Sequence, residues 1–302
     1  MNKVLVIIVT YNAMRWVDRC FSSLRESTYP NDVYVIDNGS TDGTQQYIKE
    51  NYPEVMFLQS QENLGFGKAN NIGLQYAIDK EYEYVYLLNQ DAWVDSDTFN
   101  SLIGVSDKNP DYGILSPMQM VSKSDNFDPS FYSLLTSEEG NKGYFIDLAL
   151  NRTVKDVYPV KQVMAAHWLI TRKCLLAVGG FSPSFPHYGE DNNYIQRAAF
   201  LGFKTGYVPS CFAVHDREYR ETPLKKKVYL VYRTYIMKRS NVLCDTSWSP
   251  CNFIWVIFKV CLKYHILYPL KYIYRVFKED RSILINKKIS MTKKCAFLNF
   301  KR

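Results

Sequence analysis

The first hundred residues alternate short apolar runs with amphipathic segments. Val4 to Val9 is a six-residue, β-branched run of the kind a strand buried on both faces requires. Residues 14–26 switch to helical spacing: Trp16, Cys20 and Leu24 recur every fourth position, and Val17 and Phe21 widen the same face. Val33–Ile36 predicts a second strand, followed by the turn-rich NGSTDGT and a helix through Asn51. Val55–Leu58, a helix over Lys68–Lys80, and Val85–Leu88 ending at Asn89 continue the alternation. Strands of four to six residues alternating with helices predict an α/β fold with a mostly parallel, right-handed sheet flanked by helices.

The pattern continues with a helix over 95–109 and a strand over Gly113–Met120. Between 122 and 160 it weakens, and Ser, Asp, Asn and Gly among aromatics suggest a long connection or a β-hairpin excursion. Gln162–Thr171 is apolar again. Arg172–Val178 is a short helix ended by Gly179-Gly180, and Asn192–Leu201 a helix stopped at Gly202. Phe203–Val208 and Phe212–Val214 read as two short strands. Past residue 222 the chain turns to long, aromatic, Lys-studded helices, which divides it into regions 1–222 and 223–302.

Charge sharpens that division. Of 302 residues, 37 are Lys or Arg and 30 Asp or Glu, but residues 1–219 carry a balance of −8 and residues 220–302 one of +15. An acidic body with a basic tail is not the uniform charge of a nucleic-acid binder, and points to an anionic partner for the tail alone. No stretch reaches the ~18–20 apolar residues of a membrane-spanning helix, and MNKVLVIIVTYN is too short for the apolar core of a signal peptide. Seven cysteines without a CxxC pair suggest neither a disulfide framework nor a thiolate zinc site, so a cytoplasmic protein with reduced thiols is expected.

In open α/β sheets, ligands sit beyond the carboxyl ends of the strands. The residues after each apolar run are Thr10, Tyr11 and Asn12; then Asp37, Asn38, Gly39 and Ser40; then Asn63-Leu64-Gly65-Phe66-Gly67-Lys68; then Asn89-Gln90-Asp91. Singly, each has an ordinary account. Asp37 and Ser40–Asp42 can cap a helix, and the glycines can serve a turn. Together they bring small, polar and acidic groups to one edge. Asp91, beside Asn89, suits Mg²⁺ or Mn²⁺ through hard oxygen ligands, where a bound diphosphate needs its charge neutralised. Glu190 and Asp191 open an amphipathic helix, as capping acids or as a carboxylate base aimed into a cleft. His215 follows a short strand; His167, His187 and Trp168 have no spacing that assigns them.

The segments VTYN (9–12), IDNGSTDGT (36–44), NLGFGKANNIG (63–73), LLNQDA (87–92), VGGF (178–181), GED (189–191) and VH (214–215) stand in an order that closely resembles bacterial inverting family 2 glycosyltransferases of GT-A fold. The likeness covers about residues 3–240 and is strongest to rhamnosyltransferases of O-antigen and capsule assembly. It implies that Thr10, Tyr11 and Asn12 line a nucleotide pocket and that Asp37 bonds the base or ribose. It further implies that Asn63, Gly65 and Lys68 close over the nucleotide and diphosphate. Asn89-Gln90-Asp91 resembles the DxD motif in NxD form, with Asp91 as metal ligand and Asn89 a weaker contact. Asp191 of the Glu190–Asp191 pair is similar to the catalytic base, and His215 to a histidine completing the metal site in some members. Implied partners are a nucleoside-diphosphate sugar, Mg²⁺ or Mn²⁺, and a glycan acceptor, with no nucleic acid.

The tail adds one expectation. Treated as one helix over 253–278, it puts Lys259, Lys263, Lys271, Arg275 and Lys278 within roughly a 160° arc beside Trp255, Phe258, Leu262, Ile266 and Ile273, with Pro269 as a kink or break. This is the pattern of a helix lying on an anionic membrane surface, which suits a lipid-linked acceptor and a peripheral place on the inner face of the cell membrane. Packing on the catalytic region or on a second subunit is the plainer alternative. A sugar-phosphate nucleotidyltransferase is disfavoured, because VTYNAMRW has no glycine-rich basic loop after the first strand. An inactive nucleotide-sugar-binding scaffold is disfavoured by the presence of both Asp91 and Asp191.

Overall fold

A computed structural model describes residues 4–121, 126–137, 143–216, 223–244 and 248–299. The first half runs β1 (Val4–Thr10), α1 (Val17–Arg25), β2 (Asn31–Asp37), α2 (Thr44–Asn51), β3 (Met56–Gln59), α3 (Gly65–Asp79), β4 (Tyr84–Asn89), β5 (Ala92–Val94), α4 (Thr98–Lys108) and β6 (Tyr112–Met120). It continues through α5 (Pro129–Thr136), α6 (Tyr144–Ala149), β7 (Tyr158–Pro159), β8 (His167–Thr171), α7 (Arg172–Val178), α8 (Glu190–Phe200) and β9 (Lys204–His215). Three helices close the chain: α9 (Leu224–Ser240), α10 (Pro250–Tyr264) and α11 (Lys271–Thr292).

The described strands form one sheet in the order β3-β2-β1-β4-β8-β6-β9-β5, with β7 on β9. Strands β3, β2, β1 and β4 are parallel, β8 is antiparallel to both β4 and β6, and β9 is parallel to β6. Each face has its own core. Leu5 and Ile7 of β1 join Ala69, Leu74 and Ala77 of α3, while Val4, Val6 and Ile8 join Val17, Cys20 and Phe21 of α1. The period-2 side-chain alternation of a strand thus feeds two layers of helices.

Several elements differ from the sequence reading. The long connection over 122–160 carries two short helices that the pattern did not show, beside an antiparallel bridge between Met120 and Phe127 and the short strand β7. Asp128 caps α5, its side chain accepting from the amides of Ser130 and Phe131 ahead of Pro129. α6 is only six residues long, too short to register a period. The two strands read at 203–208 and 212–214 are one, β9, and the break at Pro209 is a bulge where Pro117/Val208 pairing jumps to Met118/Phe212. α3 begins at Gly65, three residues before the expected start at Lys68. The break expected at Pro269 is present as a 3₁₀ turn at Tyr268–Leu270, and it divides the five cations of the single-helix arc between α10 and α11.

The last three helices enclose a core of Val228, Tyr232, Tyr235, Ile236, Phe253, Ile257, Tyr272, Val276 and Ile283, which also takes in Phe185. Beyond α11 the chain returns to the sheet body: Ala296 bridges Gly179, and the Gly180 amide donates to the Ala296 carbonyl at 2.8 Å. A Cβ on Gly179 would collide with that backbone, and its φ of +82° is itself a glycine conformation. Among the described residues no helix is long and apolar enough to cross a membrane.

Candidate active site

At the carboxyl ends of β1 and β2 the polar residues hold one another. Asp37 has no exposed surface. Its Oδ1 accepts from the amides of Gly39 and Ser40 and from Gln45, and its Oδ2 accepts from the hydroxyls of Thr10 (2.8 Å) and Ser40 (2.5 Å). Asn12, at φ +52°, receives the Thr41 amide on Oδ1, while its own amide donates to the Ser40 hydroxyl. Gln90 is tied to the Tyr11 backbone in both directions, which links this loop to the end of β4. Tyr11 and Asn12 are exposed. Direct contact between Asp37 and a nucleobase would have to displace Gln45. Asn63 and Lys68 are exposed, Asn63 accepting the Gly65 amide at 2.9 Å. A Cβ on Gly65 would lie 3.1 Å from the Pro186 carbonyl, so the start of α3 sits against the segment that leads to Glu190.

A second group forms where β5 meets β9. Ala92 pairs with His215, and the Asp216 amide donates to the Asp91 carbonyl at 2.7 Å, which sets Asp91 beside His215. His215 Nε2 is 3.6 Å from Asp91 Oδ1, and its Nδ1 is 3.4 Å from Asp128 Oδ2. Burial pushes the His215 imidazole down, but Asp128 and Asp91 outweigh it and hold the ring above its ordinary value. Behind it, His167 Nε2 faces the Val214 carbonyl at 3.0 Å and Nδ1 the Tyr86 hydroxyl at 2.9 Å. Burial takes His167 down to about 3, so it is neutral. A carbonyl can only accept, so Nε2 carries the proton and Tyr86 donates to Nδ1.

This donor set fits a hard divalent ion completed by substrate. Among the described residues no three His, Cys, Asp or Glu side chains cluster as a full metal cage. Mg²⁺ and Mn²⁺, however, are commonly held by one or two protein donors plus phosphate oxygens and water. Asp91 keeps 28% of its side chain exposed. Asp128, on the far nitrogen of His215, orients the ring as an outer carboxylate orients a metal-binding histidine.

A cleft of about 610 Å³ adjoins this group, and its walls include Asn89, His215, Glu190, Asp191, Tyr188 and Arg233. It therefore unites four predicted residues, Asn89, Glu190, Asp191 and His215. Thr10, Tyr11, Asn12 and Asp37 lie on the adjoining strand-end loop instead. α8 starts abruptly after Tyr188 (φ +64°) and Gly189 (φ +97°). A Cβ on Gly189 would meet Phe185 and Met237 at 3.1 Å, so this turn needs glycine on two counts. The turn puts both carboxylates in the first helical turn. Asp191 is half-buried and accepts the Asn192 amide at 2.8 Å. Glu190 is buried, with Oε2 lacking a hydrogen-bond partner among the described residues. Desolvation raises its carboxyl to about 7, with Asp191 adding to the shift and Arg233 opposing it.

Sequence reasoning missed Asp128 and Arg233, and named His167 without assigning it. The Asp-Pro step at 128–129 was the available signal for the first, as a helix start. The other two have no local signature.

The family model for glycosyl transferase family 2 matches residues 5–164, more than half of the chain. The N-acetylglucosaminyl-diphospho-decaprenol L-rhamnosyltransferase of Mycobacterium tuberculosis is 27% identical over 231 residues, covering 70% of this chain and 75% of that protein. The low-salt glycan biosynthesis hexosyltransferase Agl10 of Haloferax volcanii is 22% identical over 245 residues, 80% of this chain and 75% of its own. Among solved structures, the mannosyltransferase PcManGT of Pyrobaculum calidifontis, in complex with GDP-Man and Mn²⁺, superposes with a TM-score of 0.57 at 19% identity. It covers 96% of this chain and 74% of that one. S. aureus TarS 1–349 with UDP-GlcNAc gives 0.57 at 14% identity, over 96% and 90%. These likenesses establish the GT-A fold.

Proposed function

The chain belongs to glycosyl transferase family 2, and from that premise we propose that it is an inverting enzyme. In this reading it moves a sugar, rhamnose being the first candidate, from a nucleoside diphosphate to a hydroxyl of a lipid-linked glycan in cell-surface polysaccharide assembly. The observation that carries this reading is the single cleft holding Asp191 and His215 together, with Asp91 against His215.

Asp191 is the base. Its carboxylate takes the proton of the acceptor hydroxyl as that oxygen bonds to the donor C1. The bond from C1 to the diphosphate breaks on the opposite face, so the configuration at C1 inverts. The positive end of α8 favours the ionised form of a first-turn carboxylate. Asp91 and His215 would hold Mg²⁺ or Mn²⁺, which supplies positive charge to the leaving diphosphate. Asn89 is a further polar contact at this end of the cleft. Tyr11 and Asn12 receive the nucleoside on a loop that Asp37 and the fully buried Thr10 keep in shape, and Asn63, Gly65 and Lys68 flank the diphosphate. The lipid-linked acceptor is suggested by the mycobacterial relative, whose name describes a decaprenol-linked one.

Residues 1–222 form the catalytic unit in this reading, and 223–302 a helical region that rests on an anionic membrane. The support is exposure: Trp255 and Leu262 on α10, Leu267 in the connection and Tyr274 on α11 are each about three-quarters exposed, among exposed Lys259, Lys263, Lys271 and Lys278. Aromatic and aliphatic side chains among snorkelling lysines favour a headgroup interface.

A panel of UDP-, GDP- and dTDP-sugars with Mn²⁺ or Mg²⁺ tests the chemistry. One donor is expected to be hydrolysed slowly without acceptor, and the activity to be lost with EDTA. No turnover of any donor, or indifference to EDTA, counts against the reading. Flotation with phosphatidylglycerol vesicles tests the surface: Trp255→Ser with Leu262→Ser should leave the lipid fraction, and undiminished flotation sinks the membrane assignment.

A further inference from the structure

Arg233 lies outside the family-matched segment and outside every strand-end motif, yet it lines the cleft with Asp191 and His215. It belongs to a face of α9 that is turned towards the segment before α8. Lys226, Tyr229 and Arg233 recur at intervals of three and four, which places them on one side of the helix. The ammonium of Lys226 is 4.9 Å from the ring centre of Tyr188, and the Tyr229 hydroxyl donates to the His187 carbonyl at 2.7 Å. Arg233 and Glu190 are close enough for each to act on the electrostatics of Tyr229.

Two polar atoms in this corner lack a hydrogen-bond partner among the described residues although they are buried: Arg233 Nε and Glu190 Oε2. Leaving a buried donor or acceptor unmet costs about 1–3 kcal/mol each, more for a charged group. Such pairs persist where a ligand completes them. Burial raises the Glu190 carboxyl to about 7, so near neutral pH it cancels only part of the guanidinium charge and the unpartnered Arg233 Nε remains open to an anion. The location says which anion. In an inverting displacement the base and the acceptor stand on the face opposite the leaving group. Arg233 and Glu190 line the same cleft as the proposed base, whereas Asp91 is not among its walls, and on the proposed reading this assigns the Glu190–Arg233 corner to the acceptor side.

We propose that Arg233, with Lys226 at the rim, binds the phosphate that joins the acceptor sugar to its lipid, while Glu190 takes a hydroxyl of that sugar. The inference rests on the lipid-linked acceptor reading above and adds what recognises the link.

The test compares two acceptor probes, decyl-diphospho-N-acetylglucosamine and the phosphate-free decyl N-acetylglucosaminide. Binding is measured by calorimetry with Mn²⁺ and saturating UDP, GDP or dTDP, whichever the donor panel selects. Wild type should bind the diphosphate lipid at least tenfold more tightly than the neutral one. Arg233→Ala should abolish that gap, and Arg233→Lys should keep a few-fold part of it. Lys226→Ala, at an exposed position, should narrow it two- to fivefold. Equal affinity of wild type for both probes, or a gap unchanged in Arg233→Ala, overturns the proposal. So does an Arg233→Ala variant that weakens nucleoside diphosphate binding as much as lipid binding, since Arg233 would then serve the donor. The glycosyl-transfer reading has its own readout in the same experiment: it fails if no nucleoside diphosphate binds with Mn²⁺, whatever the lipid gap.

Discussion

Asp37 and Glu190 are both buried carboxyl residues at mouths of the same fold, and their surroundings are opposite. Asp37 sits at the end of β2 with both oxygens filled by donors from Thr10, Gly39, Ser40 and Gln45. Glu190 opens α8 with an oxygen that nothing described in the chain satisfies. The strand-end loop is thus assembled before any ligand arrives, whereas the corner formed by α8 and α9 is left for a ligand to complete. In the proposed reading these are the donor and acceptor sides: a preassembled loop spares ordering entropy when nucleotide binds, and an unfinished corner discriminates by which groups the incoming molecule supplies.

The largest expected effect separates chemistry from binding. Asp191→Asn should lower kcat about 10³-fold, roughly 4 kcal/mol of barrier, with nucleoside diphosphate affinity within twofold of wild type. Steady-state kinetics beside calorimetry checks this, and near-normal turnover would remove Asp191 from the role of base. Next, Asp37→Ala strips the acceptor from five donors around a carboxylate with no exposed surface. Global stability should fall by about 3 kcal/mol in urea unfolding. A loss under 1 kcal/mol would show that the loop is not preassembled in the way contrasted here.

The smallest effect concerns the unfinished side and is a matter of pH. The Glu190 carboxyl is raised to about 7 in the folded chain, above the ordinary glutamate value of about 4.5. The folded state therefore holds this proton more tightly than the unfolded one. The associated stability is complete below about pH 4.5 and is lost as pH rises through 7. Glu190→Gln, neutral throughout, should gain about 2 kcal/mol on wild type between pH 5 and pH 8. Parallel pH profiles for the two proteins would mean that Glu190 is solvated in solution and the contrast with Asp37 is false.

Much of the donor side was legible in the sequence because local rules write it there. Val4–Val9 is β-branched and continuous because β1 is buried on both faces, and the polar triplets that follow each strand mark the edge where ligands bind. Asp91 was singled out in this way, while Asp191 at the start of a helix and His215 at the end of a strand were singled out through the family resemblance. The two helices within the long connection over 122–160 escaped notice because α5 and α6 are eight and six residues long, too few turns for a period to emerge. The split of β9 failed because a bulge and a strand end both present a proline and a polar residue.

What the sequence determined by itself, then, was the alternation of strands and helices, the edge that carries the chemistry and the carboxylates placed there, since hydrophobic period and strand-end position are properties of neighbouring residues. Only the tertiary structure decided which of those residues share a cleft. Pairing of β5 with β9 sets Asp91 against His215, a capping aspartate from α5 backs the same ring, and α9 brings Arg233 to Glu190 from 43 positions along the chain. These contacts are made by long-range packing, so their energies depend on burial and on distance in space, and no window of sequence contains both partners.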